Sequence, residues 1–265
     1  MEPCKLRHLP HALAGSAVTP LAHDTHPQAA AAATKDLELP SGDDERVVGF
    51  GVMGLPFANG HYLAFRDFPE TSFAPGYLSV WHRTPGGVWT FYATTPGPQS
   101  CSRYFSSATL VDPVVCDIRS TWLTPWSLLI SIEDVLQWRV DVKHTWVTRL
   151  MSVVGGHLPT AAWTSRGTLK AMGAIVGPLL GVGRMRLTGH LPNGQEFRIA
   201  PKQVWAVADS TAVVKGENLG RVGPHAVQGN LADFQLPQRG ICAVAQGRFE
   251  PFDIARHLDG DRIGI

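Results

Sequence analysis

Two histidines sit where this sequence otherwise places apolar side chains. In Gln137–Val147 the even positions read Trp138, Val140, Val142, His144 and Trp146, while the odd ones read Gln137, Arg139, Asp141, Lys143 and Thr145. That period of two predicts a strand with one apolar and one polar face. In Tyr77–Tyr92, two runs rich in Val, Trp, Phe and Tyr flank Thr84-Pro85-Gly86-Gly87, the signature of a tight turn. A register pairing His82 with Trp89 and Val80 with Phe91 puts Leu78, Val80, His82, Trp89 and Phe91 on one face, with Trp81 on the other. Imidazole titrates near pH 6.5 and suits proton transfer at neutral pH. The expectation is that His144 and His82 converge as catalytic groups on an interior cavity. Trp89, Phe91, Trp138 and Trp146 would line it and bind a flat apolar or cationic substrate. For each histidine taken alone, the competing reading is a core imidazole satisfied by hydrogen bonds.

Other candidates surround this pair. Asp117 and Arg119 share one face of a predicted strand; turned inward, Asp117 would orient a histidine and Arg119 would contact substrate, and turned outward they form a surface ion pair. Cys101-Ser102-Arg103-Tyr104-Phe105 follows a Pro-rich loop. Here Cys101 is a possible nucleophile, and Arg103 with Tyr104 could bind an oxyanion. A two-histidine metal site stays open as an alternative, without a carboxylate beside it in sequence. No H-E-x-x-H, G-x-S-x-G, P-loop or strand-borne G-x-G-x-x-G occurs, so no cofactor is expected.

These residues need a scaffold, and the composition limits what it can be. The chain has 265 residues, 44% apolar and only 17% charged, with 23 Lys and Arg against 22 Asp and Glu and a net charge of +1. The balance excludes an overall nucleic-acid or anionic-surface footprint. Eight tryptophans outnumber four tyrosines. Cys4, Cys101, Cys116 and Cys242 form no C-x-x-C pair; the expectation is reduced thiols in a cytoplasmic protein, although Cys101 and Cys116 on neighbouring strands could bridge. The most apolar window, 171–183, is too short and too broken by glycine and Pro178 to span a bilayer.

Residues 1–45, with His8, His11, His23 and His26 among Pro, Ala and Gly, read as a flexible arm. Residues 46–265 read as one β-rich ligand-binding domain. It has a β block over 46–152, an amphipathic helix over 159–180, and a second β block over 183–250 in which 196–199, 203–208 and 212–214 are separate strands. A short helix over 252–258 would close the chain. About eleven short strands around one central helix, with no strand–helix alternation, predict a mainly β fold: an antiparallel barrel or two packed half-barrels.

In the second block, Leu187-Thr188-Gly189, Pro192-Asn193-Gly194, Phe197, Trp205, Asp209-Ser210-x-Ala212 and Leu236-Pro237-x-x-Gly240 resemble the lipocalin-like proteins of the carotenoid 1,2-hydratase (hydroxyneurosporene synthase) and AttH group. The resemblance covers about 65 residues and implies a barrel that binds a lipophilic molecule such as an isoprenoid. Hydration, dehydration, isomerisation or cyclisation would be its chemistry. Three functions follow as expectations: a cofactor-free lyase or isomerase, a carrier of the same hydrophobic ligand, or a hydrolase using Cys101 or a His-bound metal. The expected partner is that ligand, with no nucleic acid and no integral membrane segment. Low charge leaves apolar surface that a homodimer would cover.

Overall fold

The computed structural model describes residues 25–109 and 112–251. Helix α1 (Pro27–Ala33) leads into strands β1 (Glu45–Pro56), β2 (Tyr62–Thr71), β3 (Pro75–Arg83), β4 (Trp89–Ala93), β5 (Val114–Val115), β6 (Arg119–Thr124), β7 (Ser127–Ile132) and β8 (Leu136–Lys143). Helices α2 (Trp146–His157), α3 (Thr160–Thr164) and α4 (Arg166–Leu180) follow. The chain then adds β9 (Thr188–His190), β10 (Glu196–Val214), β11 (Glu217–Asn218), β12 (Asn230–Leu231), β13 (Phe234–Gln235) and β14 (Ile241–Phe249).

Twelve strands form one sheet, ten of them in the order β5-β4-β3-β2-β1-β14-β10-β8-β7-β6 with β9 and β11 also paired to β10, antiparallel throughout except for the β4–β5 pair. The expected mainly β, antiparallel architecture is the one observed, as a half-barrel. Curl is visible in one contact. Phe50 of β1 and Trp122 of β6 lie five positions apart in the sheet, about 24 Å if it were flat, yet their ring centroids are 5.5 Å apart. The concave side is therefore filled by a large core that includes Phe50, Val52, Phe65, Val80, Trp138, Val140 and Trp205.

A second core covers the opposite face of β1, β2, β3 and β14. There Tyr62, Ala64, Trp81, Phe91, Phe197 and Phe249 pack under a segment of single 3-10 turns carrying Cys101, Tyr104 and Phe105, and under Leu231 and Leu236. The strands of this region are thus buried on both sides, which is why β1 and β2 read as near-continuous apolar runs.

Five sequence-based expectations change. The β3–β4 register pairs Arg83 with Trp89, His82 with Thr90 and Trp81 with Phe91. The loop takes an odd number of residues because Gly87 adopts φ +89°, so Trp89 and Phe91 join Trp81 and leave the face of His82. The strand expected through Val147 stops at Lys143. Thr145 caps α2 with a reciprocal Thr145–Thr148 capping box, a helix start that outweighs the β-like alternation. The single helix expected over 159–180 is broken at Ser165, which is the N-cap of α4, into α3 and α4. The three short strands expected over 196–214 are one long bent strand, β10. The arm expected over 1–45 is packed from Pro27 onward, with Ala30 and Thr34 buried. Residues 1–24 and the helix expected over 252–258 lie outside the described residues. No helix among the described residues is long and apolar enough to cross a membrane.

The two-sided burial makes a local prediction. A Cβ on Gly49 would lie 2.0 Å from the backbone oxygen of Asp67, which cannot yield as a side chain can. Gly49→Ala is expected to lower the unfolding free energy by about 1–3 kcal/mol, measured by urea denaturation; an unchanged midpoint would contradict this packing.

Candidate functional site

A cavity that combines apolar walls with a buried charged group lies in the second core. β1 and β14 make its floor from small residues: Gly49 pairs with Ala245 and Val47 with Gly247. With little side chain on that floor, a cavity of about 70 Å³ remains, bounded also by Met53, Trp81, Phe105, Phe234 and Phe249. Arg66 and Cys101 stand in its wall.

Arg66 is the unusual member. Alternation along β2 points Tyr62, Ala64 and Arg66 to one side, and Arg66 is 5% exposed. One guanidinium nitrogen donates to the carbonyls of Val52 (2.6 Å) and Phe65 (2.9 Å), the other to the carbonyl of Met53 (3.1 Å). The first and last of these carbonyls belong to the irregular stretch of β1 where its pairing with β2 and β14 shifts. The guanidinium also lies 4.9 Å from the ring centre of Trp81, whose indole N–H donates to Ser79 Oγ at 3.1 Å. No carboxylate pairs with Arg66 among the described residues. Burial lowers its pKa, but a guanidinium remains a cation in proteins. The cavity therefore offers one fixed positive charge inside apolar walls.

Cys101 adjoins it. Its backbone N–H donates to the Tyr77 hydroxyl at 2.8 Å. Burial raises the thiol pKa, outweighing the hydrogen bonds and the Arg66 charge that favour the thiolate. Cys101 is thus a protonated thiol rather than the activated nucleophile of the hydrolase alternative. Cys101, Cys116 and Cys242 are all unpaired as thiols. Among the described residues no group of three or more His, Cys, Asp or Glu side chains is arranged to hold a metal.

The residues singled out in sequence are distributed differently. His82 is buried on the inner face, and its Nε2 lies 2.9 Å from His61 Nδ1, with the two rings stacked. His61 in turn faces Glu217, 3.5 Å away. His144 follows the end of β8, between the rings of Trp126 and Trp205 at 5.4 and 6.0 Å. It is surrounded by tryptophans, but not by those expected, and it shares none of these partners with His82.

Trp138 is sealed in the inner core and donates its N–H to Ser210 Oγ at 2.8 Å. Trp146 is the first residue of α2 and is 72% exposed, because the helix start rotates it away from the strand face. Asp117 and Arg119 form a 3.0 Å pair on the outside, both side chains more than two-thirds exposed, so they take the surface-pair reading. Trp89 and Phe91 do belong to the aromatic core around Trp81, at the side away from His82.

Arg103 and Tyr104 do come together on an acid group, but the chain supplies it. Arg103 pairs with Glu45 at 3.2 Å, and the Tyr104 hydroxyl donates to the same carboxylate. Burial and that carboxylate together hold the Tyr104 hydroxyl in its protonated form. Arg66 was missed, although it interrupts the apolar alternation of Tyr62-Leu63-Ala64-Phe65-Arg66 just as His82 and His144 interrupt theirs.

No protein-family model and no curated protein matches the chain. Among solved structures, an acetoacetate decarboxylase from Legionella pneumophila is similar, with a TM-score of 0.37 and 11% identity over 82% of this chain and 88% of that one. Another, from structural studies of acetoacetate decarboxylase, has a TM-score of 0.39 and 8% identity over 80% and 88% of the two chains.

Two measurements check the site chemistry. Burial, reinforced by the positive charges of His61 and Lys215, holds the His82 pKa down from 6.5 to about 4. The unfolded chain therefore binds a proton that the folded one refuses within that window. Stability should be full above pH 6.5 and fall as pH drops toward 4, by on the order of 2 kcal/mol after solvent screening. His82→Gln should flatten that slope in pH-dependent denaturation, and an equal slope in both proteins would assign it elsewhere. Cys101, in turn, should react with a thiol reagent orders of magnitude more slowly in the native than in the urea-unfolded chain, as read by mass spectrometry of the labelled peptide.

Proposed function

We propose that the Arg66 cavity binds a small, predominantly apolar molecule bearing a carboxylate, and that the protein acts on it as a lyase or isomerase with its own side chains. The buried guanidinium with no acidic partner among the described residues carries this reading. A desolvated charge costs several kcal/mol unless a counter-charge offsets it, and an anionic ligand would provide one. Trp81, Phe105, Phe234 and Phe249 would cover the ligand's apolar body. The small residues Gly49, Ala245 and Gly247 would leave it room.

In such a complex Arg66 would orient the carboxylate, with its fork held in place by the Val52, Phe65 and Met53 carbonyls. Apolar walls would exclude water and so strengthen every charge interaction inside. Cys101, kept protonated, is the neutral acid at the wall and could deliver a proton to a carbon or oxygen of the bound molecule. Exclusion of water favours rearrangement or elimination over hydrolysis.

The stacked His61–His82 pair supports a second reading, in which Glu217, His61 and His82 form an acid–base chain on the inner face. Its short ring-to-ring contact is the observation in its favour. Turnover that survives Arg66 substitution but not His82 substitution would select it.

Calorimetry with propionate and propionamide tests the first reading. Propionate should bind and the amide should not. Arg66→Gln, which keeps donors for the β1 carbonyls but removes the charge, should weaken propionate by about tenfold to a hundredfold, the value of a charge-assisted hydrogen bond. Ala245→Leu should abolish binding by filling the floor. Equal affinity for acid and amide, or none for either, would defeat the proposal.

A further inference from the structure

A groove of about 990 Å³ runs along one side of α4, a volume in the range of small-molecule sites. It shares no lining residue with the Arg66 cavity. Arg166, Lys170, Ala174 and Pro178 recur every four residues, so they occupy one helix face and form one wall. The segment 183–190 forms the other wall, with Gln228, Asp233 and Gln235 beside it. Glycines bring the two walls together. A Cβ on Gly177 would lie 2.2 Å from the Gly183 oxygen and 3.0 Å from the Met185 nitrogen, and one on Gly173 would lie 3.3 Å from the Arg186 Cα. Gln228 fixes the second wall: its side-chain oxygen accepts from the Arg184 N–H at 2.8 Å, and its amide donates to the Arg184 carbonyl at 2.7 Å.

The acids of this groove are already engaged. Glu196 pairs with Arg166 and also with Arg198 at 3.5 Å. Asp233 accepts the His190 N–H at 3.0 Å and pairs with Arg186, which together hold its carboxyl below the usual range. Lys170 and Arg184 are exposed and have no acidic partner among the described residues. Arg184, between Gly183 and Met185, stands level with Gly177. Lys170 lies seven residues earlier on α4, so the two cations are about 10 Å apart along the helix axis. Between them the helix presents only Gly173 and the methyl group of Ala174, opposite Met185 and Leu187.

We propose that this groove binds an elongated small molecule with an anionic group, carboxylate or phosphate, at each end of a slim apolar body. Lys170 takes one end, the Arg184 guanidinium takes the other as a fork, and the body lies over Gly173 and Ala174. Charge complementarity selects this class. A monoanion leaves one cation without a counter-charge, and a compact polyanion does not reach both.

Calorimetry on the full-length chain at low salt tests the proposal with suberate, a linear dicarboxylate, against octanoate and pyrophosphate. Suberate should bind, and octanoate, with one charge fewer, about fivefold more weakly. Pyrophosphate, compact but more highly charged, should also bind more weakly than suberate. In Lys170→Gln and in Arg184→Gln suberate should fall to the level of octanoate, because its second carboxylate has lost its partner. Ala174→Leu should remove binding by occupying the space between the walls. All three positions are exposed, so native circular dichroism is expected in each variant. Arg119→Gln, on β6, should change nothing. The proposal is overturned if suberate does not bind at millimolar concentration, or if Ala174→Leu leaves its affinity unchanged. Preference for pyrophosphate would overturn it in favour of a simple anion site. A loss as large in Arg119→Gln would overturn it in favour of bulk charge attraction.

Discussion

The molecule depends on where its last strand goes. β14 inserts between β1 and β10 and joins two strand groups that are otherwise separate, β1 to β5 on one side and β6 to β8 with β10 on the other. Only with that strand in place does the sheet become continuous and curl enough to bring Phe50 against Trp122. A sheet closed by chain segments about 200 residues apart in sequence is costly to assemble, because the loop entropy is lost before the pairing returns it. The burial on both faces of the seam is what offsets that cost.

The seam also shapes the candidate site. Along β14, Cys242 and Val244 enter the inner core while Ala245 and Gly247 turn to the other side. Large residues at 245 and 247 would fill the second core as densely as the first. Small ones leave a hollow, and Arg66 borders it because β2 pairs with β1 at the irregular stretch whose carbonyls the guanidinium caps. The fold and the charged cavity thus share one cause, the shifted pairing of β1 with its two neighbours. Helices α2 and α4 stand apart from this and pack against β10.

Comparing Arg103 with Arg66 shows why charge alone does not mark a ligand site. Both are largely buried and both lie over aromatic rings. Arg103 has Glu45 beside it and Tyr104 on the same carboxylate, so its charge is neutralised within the chain. Arg66 has carbonyl oxygens for its hydrogen bonds and no counter-charge among the described residues. That difference arises from which strand each residue faces.

Much of the architecture was legible in local pattern. Period-two alternation in 137–143, the Asn193-Gly194 turn and the absence of strand–helix alternation determined a mainly antiparallel β protein, since side-chain direction along a strand is a local property. The α2 start was not legible: its capping box has Thr148 where the sequence signature has Glu or Gln, and the alternation running into Trp146 read as strand. The β3–β4 register was not: Gly87 can take positive or negative φ, and that one choice decides whether Trp89 faces His82 or Trp81. Nor could the sequence show which interrupted apolar face encloses a hollow. His82, His144 and Arg66 all break such faces in the same way, and only the tertiary structure separated them, by stacking His82 on His61, placing His144 between Trp126 and Trp205, and leaving small residues opposite Arg66. Faces are set by neighbours along one strand, whereas cavities and counter-charges are set by chain segments far apart in sequence.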